Sequence, residues 1–350
     1  MTDGARPSGD DVPMTTRAWS FDRPAPAAEG RLTLGVRELP PVAGGDVRLR
    51  VSACGLCRTD LHLVEGDLPV RRAATIPGHQ VVGRVVALGS GVDDLALGDR
   101  VGIAWLRRTC GICRWCRIGR ENLCPRSEYT GWDADGGLAE VADVPAAYAY
   151  RLPEDPPDEQ LAPLLCAGII GYRALRRAAL PPGGRLGIYG FGSSAHITAQ
   201  LAMAEGAEVH VLTRGPGNRA LAEELGAASV GAADASPPVP LDSAILFAPA
   251  GELVPVALAA LDRGGTLAVA GIHLSDVPPL DYERHLFYER DLRSVTSNTR
   301  QDGTELLALA SRAGVAGVRV HTTTYDFADT DRAVQDMAAG RVSGSAVVVL

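Results

Sequence analysis

Four of the seven cysteines in this 350-residue chain fall within fifteen positions, as Cys110, Cys113, Cys116 and Cys124. Short Cys-x2-Cys turns place sulfurs on one ion, and a longer gap lets the chain return with the fourth. Four thiolates meet zinc's tetrahedral demand and leave no position for water, so the site reads as structural. An iron–sulfur cluster would use the same four thiolates. Arg107, Arg108, Arg114, Arg117 and Arg120 flank the cluster. They would offset its negative charge, although a solvated basic face explains them equally well. Such crowding argues for metal binding rather than a disulfide framework, and for a reducing cytoplasm.

A second constellation is dispersed over three segments: Cys57-Arg58-Thr59-Asp60-Leu61-His62, Pro77-Gly78-His79-Gln80 and Leu165-Cys166-Ala167-Gly168. Cys57, His79 and Cys166 together make a Cys2His set. Three protein ligands with water in the fourth position is the pattern of a catalytic zinc. Each residue alone is weak evidence, since a cysteine in an apolar helix is more often packing than ligand.

A third motif, Leu186 to Ala195, reads as a strand, a G-x-G-x-x-A turn and a helix start. Gly190 makes the tight turn, Gly192 lets the backbone approach a pyrophosphate, and Ala195 permits close helix packing. Phe191, Ser193 and Ser194 complete the turn, and the helix N-terminus faces the phosphates. The next strand ends Val211-Leu212-Thr213-Arg214-Gly215, with no acid for ribose hydroxyls. Thr213 and Arg214, with Arg219 as a second candidate, suit a 2′-phosphate, which favours NADP(H) over NAD(H). The alternative has Arg214 in solvent and NAD bound without the acidic contact.

These residues need two kinds of scaffold. Residues 14–160 hold short apolar stretches broken by Gly and Pro, among them Asp46–Ser52, Gln80–Leu88, Arg100–Ala104 and Leu138–Val141, and read as an all-β lobe. Leu161–Leu180 reads as one helix, ended by Pro181-Pro182-Gly183-Gly184. Strands are then expected at Arg185–Tyr189, Glu208–Leu212, Ala228–Val230, Ser243–Phe247, Thr266–Ala270 and Leu292–Ser297. Helices are expected at Ala195–Glu205 and Asn218–Leu225, the latter ending at Gly226. The alternation implies an α/β, doubly wound parallel sheet. One or two helices and a terminal strand, Ala346–Leu350, follow Asn298.

Composition excludes other chemistry. All 34 basic side chains are arginine, so no lysine is available for an internal Schiff base or a Walker A loop. A net charge of −8 argues against nucleic acid as a partner. No 18-residue apolar run predicts a membrane span, and the polar Met1–Val12 lacks a secretory h-region.

The order and spacing of these motifs resemble a zinc-dependent alcohol dehydrogenase of the medium-chain dehydrogenase/reductase superfamily. The resemblance runs from about Thr16 to Leu350. It rests on Cys54-Gly55-Leu56-Cys57-Arg58-Thr59-Asp60-Leu61-His62, Gly78-His79, the four-cysteine lobe, Leu165-Cys166-Ala167-Gly168 and the glycine turn. It implies a Rossmann domain (163–297) inserted in a GroES-like β-rich catalytic domain (14–162 plus 298–350, zinc lobe 105–126), after a disordered tail at 1–13. It implies two zinc ions per chain, with Cys57, His79 and Cys166 on the catalytic one and Cys54 as a non-ligand. Thr59 would bond the substrate oxygen, His62 would relay the proton, and Asp60 would accept the other ring N–H of His79.

Three positions depart from the family pattern. Gln80 stands for a Glu after the ligand histidine, Ser345 for an Arg in Gly344-Ser345-Ala346-Val347, and Ile170 for a Thr. The first two remove both partners of a charge pair together, which leaves no unpaired buried charge. The leading expectation is reversible hydride transfer between NAD(P)(H) and a primary alcohol or aldehyde. The alternatives are a tailoring dehydrogenase for a polyol or secondary metabolite, and a non-catalytic zinc-binding protein that keeps the fold. Trp105, Tyr129, Trp132 and Ile170 are candidate cleft walls, set against plain packing, and His273 lies where a sheet strand ends near a cofactor. A small-molecule substrate and a homodimer or homotetramer are the expected partners.

Overall fold

The computed structural model describes residues 14–30, 32–310 and 318–350; the expected tail at 1–13 lies outside them. The chain divides into two compact units. One runs to Leu165 and takes in Thr322–Val342 and Ala346–Leu350; the other is Cys166–His321 with Ser343–Ser345. The return to the first unit therefore comes later than residue 298. Helix Arg300–Ala310 stays with the second unit because Glu305 accepts the Tyr172 hydroxyl at 2.7 Å and Asp302 pairs with Arg173 at 2.7 Å, both partners on helix Ala167–Ala178.

The first unit is built on strand Asp46–Leu56, which is buried along most of its length. Val47, Leu49, Val51 and Ala53 supply its alternating apolar face. It pairs antiparallel with Gln80–Leu88 along one edge, and with Val141–Pro145 and then Ser345–Val349 along the other. Arg100–Ile103 and Ala149–Arg151 extend the sheet one way, and Thr322–Asp326 the other. The register sets the site. Gly55 faces Gln80, so Cys57 and His79 leave adjacent ends of paired strands. Thr322–Asp326 and the separate pair Thr15–Ser20 with Thr33–Glu38 are strands beyond those expected. The strand foreseen at Leu138–Val141 starts later, at Val141, and ends at Pro145.

The second unit carries a six-stranded, all-parallel sheet. Its order is Ser229–Gly231, Glu208–Leu212, Arg185–Tyr189, Leu241–Leu246, Leu261–Val269, Asp291–Ser294. Strand order reverses beside Arg185–Tyr189, the first strand of the set, which is the doubly wound arrangement expected. Parallel neighbours need crossovers, and helices Ser193–Ala204 and Pro216–Glu224 supply the first two. Gly226 ends the latter with φ +89°. Helix Ala167–Ala178 packs on Ser193–Ala204 through Gly171, where a Cβ would meet Thr198 Oγ1 at 2.1 Å.

One element breaks. The helix expected over Leu161–Leu180 is instead a turn of helix at Asp158–Leu161, a 3₁₀ turn at Ala162–Leu165, and helix Ala167–Ala178. Cys166 sits at the break with φ −133° and ψ −69°. Pro163, which lacks an N–H, cannot take part in a continuous ladder there. The break lifts Cys166 out of regular helix and leaves its side chain half-buried.

Candidate active site

Cys57, His79 and Cys166 each offer one ligand atom, and these atoms lie within 4.8 Å of one another. Cys57 is the N-cap of helix Arg58–Glu65, an element the polar sequence run did not announce. Its sulfur accepts the Thr59 N–H at 3.4 Å while its own N–H donates to Asp60 at 2.8 Å, a reciprocal capping box. The other Asp60 oxygen accepts Gly78 N–H at 3.0 Å and lies 3.3 Å from His79 Nδ1. One carboxylate thus ties the helix start to the histidine strand. His79 Nε2 lies 3.3 Å from the Cys57 sulfur. Cys166 follows the peptide of Leu165, which is fully buried.

The pocket's electrostatics favour a cation. His79 is wholly buried, and burial alone lowers its basicity. The charges of Asp60 and Cys57 outweigh that and hold the imidazole at about 10. A divalent metal at Nε2 would compete with that proton for the same negative surroundings. The soft sulfurs, the imidazole and a carboxylate behind it are the donor set that fits zinc. Cys54 stays outside this set. Burial pushes its thiol well up, and its sulfur packs where a Cβ on Gly78 (φ +94°) would come within 2.7 Å.

Thr59 is buried in the first helical turn, and His62 follows one turn later. His62 Nδ1 meets Asp67 at 2.7 Å. Trp105 stands edge-on to His79, ring centres 4.9 Å apart. Tyr129 and Trp132 stack on Trp105 at 4.9 and 5.8 Å, and Arg71 lies 3.5 Å over Trp132. Ile170 donates its N–H to Cys166 O at 2.8 Å, in the first turn after the break. Gln80 is buried against Gly55, and among the described residues its amide nitrogen has no hydrogen-bond partner. His273 is exposed, beyond the end of strand Leu261–Val269.

The sulfurs of Cys110, Cys113, Cys116 and Cys124 converge in the same way. Backbone N–H groups point at them: Cys113 to Cys110 at 3.3 Å, Cys110 and Arg126 to Cys124 at 3.4 Å each. Hydrogen bonding from the Ile112 backbone, above all, lowers Cys110 to about 6, whereas burial lifts Cys124 to about 11. Four of the five flanking arginines turn elsewhere: Arg107 and Arg108 to Asp46, Arg114 and Arg120 over Trp115. The guanidinium that meets Cys110 belongs to Arg126, which a sequence window closed at Cys124 passes over.

At the glycine turn, Gly190 has φ +86°, and a Cβ there would meet Ala248 N at 2.9 Å. A Cβ on Gly192 would meet nothing within 4 Å. That open cradle over the start of helix Ser193–Ala204 fits a bound pyrophosphate. Phe191 and Ala195 are buried beneath it, and Thr198 bonds the Ser194 carbonyl at 2.7 Å. Ser193 and Ser345 share a 2.5 Å hydroxyl contact. Thr213 is buried with its N–H on Gly231 O at 3.0 Å. Arg214 is exposed, and Arg219 reaches its carbonyl at 3.2 Å. Among the described residues no carboxylate pairs with either arginine. None of the described helices is long and apolar enough to cross a membrane.

Known proteins share this architecture. The alcohol dehydrogenase GroES-like domain model matches residues 43–154. A probable alcohol dehydrogenase of Mycobacterium tuberculosis (strain CDC 1551 / Oshkosh) is 58% identical over 96% of this chain and 98% of its own. A cinnamyl alcohol dehydrogenase of Sorghum bicolor superposes with a TM-score of 0.85 at 27% identity, covering 96% of this chain and 97% of that one. A cobalt- and zinc-bound thermostable alcohol dehydrogenase of Pyrobaculum aerophilum does so with a TM-score of 0.85 at 25% identity, over 96% and 100%.

Proposed function

Because the chain belongs to the zinc-dependent alcohol dehydrogenases of the medium-chain dehydrogenase/reductase superfamily, oxidoreductases acting on CH–OH groups, we propose that it interconverts a primary alcohol and its aldehyde with NAD(P)(H). The observation that carries the reading is the convergence of Cys57, His79 and Cys166 with Asp60 behind the histidine. When bound, zinc supplies Lewis-acid polarisation of the substrate oxygen, and nicotinamide supplies the hydride donor or acceptor.

The chain's own residues orient and move the proton. Thr59 hydrogen-bonds the substrate oxygen, and His62, one turn later on the same helix, takes up the hydroxyl proton and passes it to solvent. Support comes from the Asp67 contact at His62 Nδ1, which leaves Nε2 as the basic nitrogen. Asp60 holds His79 in the tautomer that presents Nε2. Trp105 beside His79 supports an apolar wall for the alcohol. Cys110, Cys113, Cys116 and Cys124 would hold a second, structural zinc.

Arg214, exposed and without a carboxylate partner among the described residues, favours NADP(H) over NAD(H). The chain acts as a homodimer or homotetramer. Support for that comes from outer strand Asp291–Ser294, with Leu292 exposed, and from exposed Tyr282 and Phe287. Paired kinetics with NADH and NADPH on an aldehyde panel test the reading. Turnover is expected with zinc-loaded protein, faster with NADPH, and Arg214→Ser should raise the KM for NADPH about tenfold while sparing NADH. No turnover with either dinucleotide across the panel contradicts it.

A further inference from the structure

The first turn of the dinucleotide helix is held from behind by a histidine that the chemistry above does not use. His196 lies four residues after Gly192 and is fully buried. Its Nδ1 meets the Gly192 carbonyl at 3.1 Å, and since a carbonyl only accepts, Nδ1 carries the hydrogen. Its Nε2 accepts the backbone N–H of His321 at 3.3 Å, so Nε2 carries none. The two bonds demand a single neutral tautomer. Burial, with His321 nearby adding to its effect, lowers the ring to about 4 and so keeps it neutral.

The segment on the far side is pinned as well. Gln200, one turn further along the helix, accepts Arg319 N–H at 2.8 Å and donates to Arg319 O at 3.0 Å. His321 O accepts Ser345 N–H at 2.8 Å, and the Ser345 hydroxyl meets that of Ser193. A closed circuit of hydrogen bonds therefore runs from Gly192 through His196, residues 319–321 and Ser345, and back to Ser193.

We propose that His196 is a positioning residue for the dinucleotide, acting through the Gly192 carbonyl. The inference rests on the alcohol dehydrogenase reading above. The Gly192 carbonyl and the Ser193 N–H belong to one planar trans peptide and point in opposite directions. The second donor from His196 therefore helps to aim the Ser193 N–H outward, towards the open space over Gly192 where a pyrophosphate would sit. The oxygen also accepts the His196 backbone N–H at 3.1 Å, so without the ring it keeps a single donor in the first helical turn and its peptide is held less firmly.

The bonds can be separated by substitution. His196→Asn offers an amide N–H at the place of Nδ1 and nothing at Nε2, whereas His196→Leu offers neither. The measurement is the NADPH and NADH dissociation constant by nicotinamide fluorescence on zinc-loaded protein without substrate, with thermal unfolding as a control. His196→Leu should weaken binding of the preferred dinucleotide about tenfold, the order of a lost hydrogen-bonded contact, and His196→Asn should restore most of it. Should His196→Leu fail to fold, His196→Gln, whose amide reaches the Nε2 end alone, takes its place with the same weakening expected. Wild-type affinity in His196→Leu or His196→Gln, or an Asn variant as weak as Leu, overturns the inference alone. Failure of the unmutated protein to bind either dinucleotide overturns the function on which it rests, and the inference with it.

Discussion

Asp60 serves three partners at once: the Cys57 N–H, the Gly78 N–H and the His79 ring. Replacing it by Asn removes the charge but little volume. The expected result is zinc affinity at this site lowered by roughly 10–100-fold, read by competition with a chelator, with the four-cysteine site untouched. His79, held at about 10 without metal, must give up its Nε2 proton to a metal. The calorimetric heat of zinc uptake at neutral pH should therefore vary with the ionisation enthalpy of the buffer. His196 carries a sign that can be checked in the same way. Its folded value of about 4 lies below the ordinary 6.5, so the unfolded chain binds the extra proton between them. Stability should fall as pH drops through that window, and His196→Asn should flatten this limb of the stability profile. The four-cysteine cluster was legible from its spacing, and the candidate set Cys57, His79 and Cys166 only through the family resemblance of its three segments. Arg126 and His196 were not, since what they touch depends on how a loop and a strap fold back onto them.

Elements bring these residues together through register and breaks. Gly55 opposite Gln80 is what sets Cys57 beside His79, and a one-residue slip would turn every side chain of the strand to the other face. The parallel strands of the second unit were readable from their short apolar runs, although the one expected at Thr266–Ala270 starts five residues earlier, at Leu261. The break at Cys166 was not, because an apolar sequence from Leu161 to Leu180 carries a helical pattern on both sides of it. Helix Arg58–Glu65 escaped for the opposite reason. It starts on a cysteine cap, and its polar residues face chemistry rather than solvent. The glycine turn gives a direct test at this scale. Gly190→Ala puts a Cβ 2.9 Å from Ala248 N at φ +86°, so it should cost about 1–3 kcal/mol in unfolding free energy and weaken dinucleotide binding. Gly192→Ala, whose Cβ meets only open space, should spare stability and weaken binding alone.

For the whole molecule, the lysine-free composition has a plain chemical reading. No lysine iminium can form, and a metal held by two cysteines and a histidine would supply an electrophile without one. The departures at Gln80 and Ser345 keep this site free of an added charge pair, and Ser345 instead closes the hydrogen-bond circuit behind the glycine turn. An assembled oligomer should sediment at a multiple of the 36.6 kDa chain, and Leu292→Asp on the outer strand should shift it towards that mass. The central claim is that Cys57, His79 and Cys166 hold the metal on which turnover depends. Zinc per chain, counted by mass spectrometry on samples of known aldehyde-reducing activity, tests it in unmutated protein and in Cys166→Ser. About two zinc ions should fall to about one, with activity lost and the fold kept. An unchanged zinc count, or turnover that survives the substitution, would contradict it.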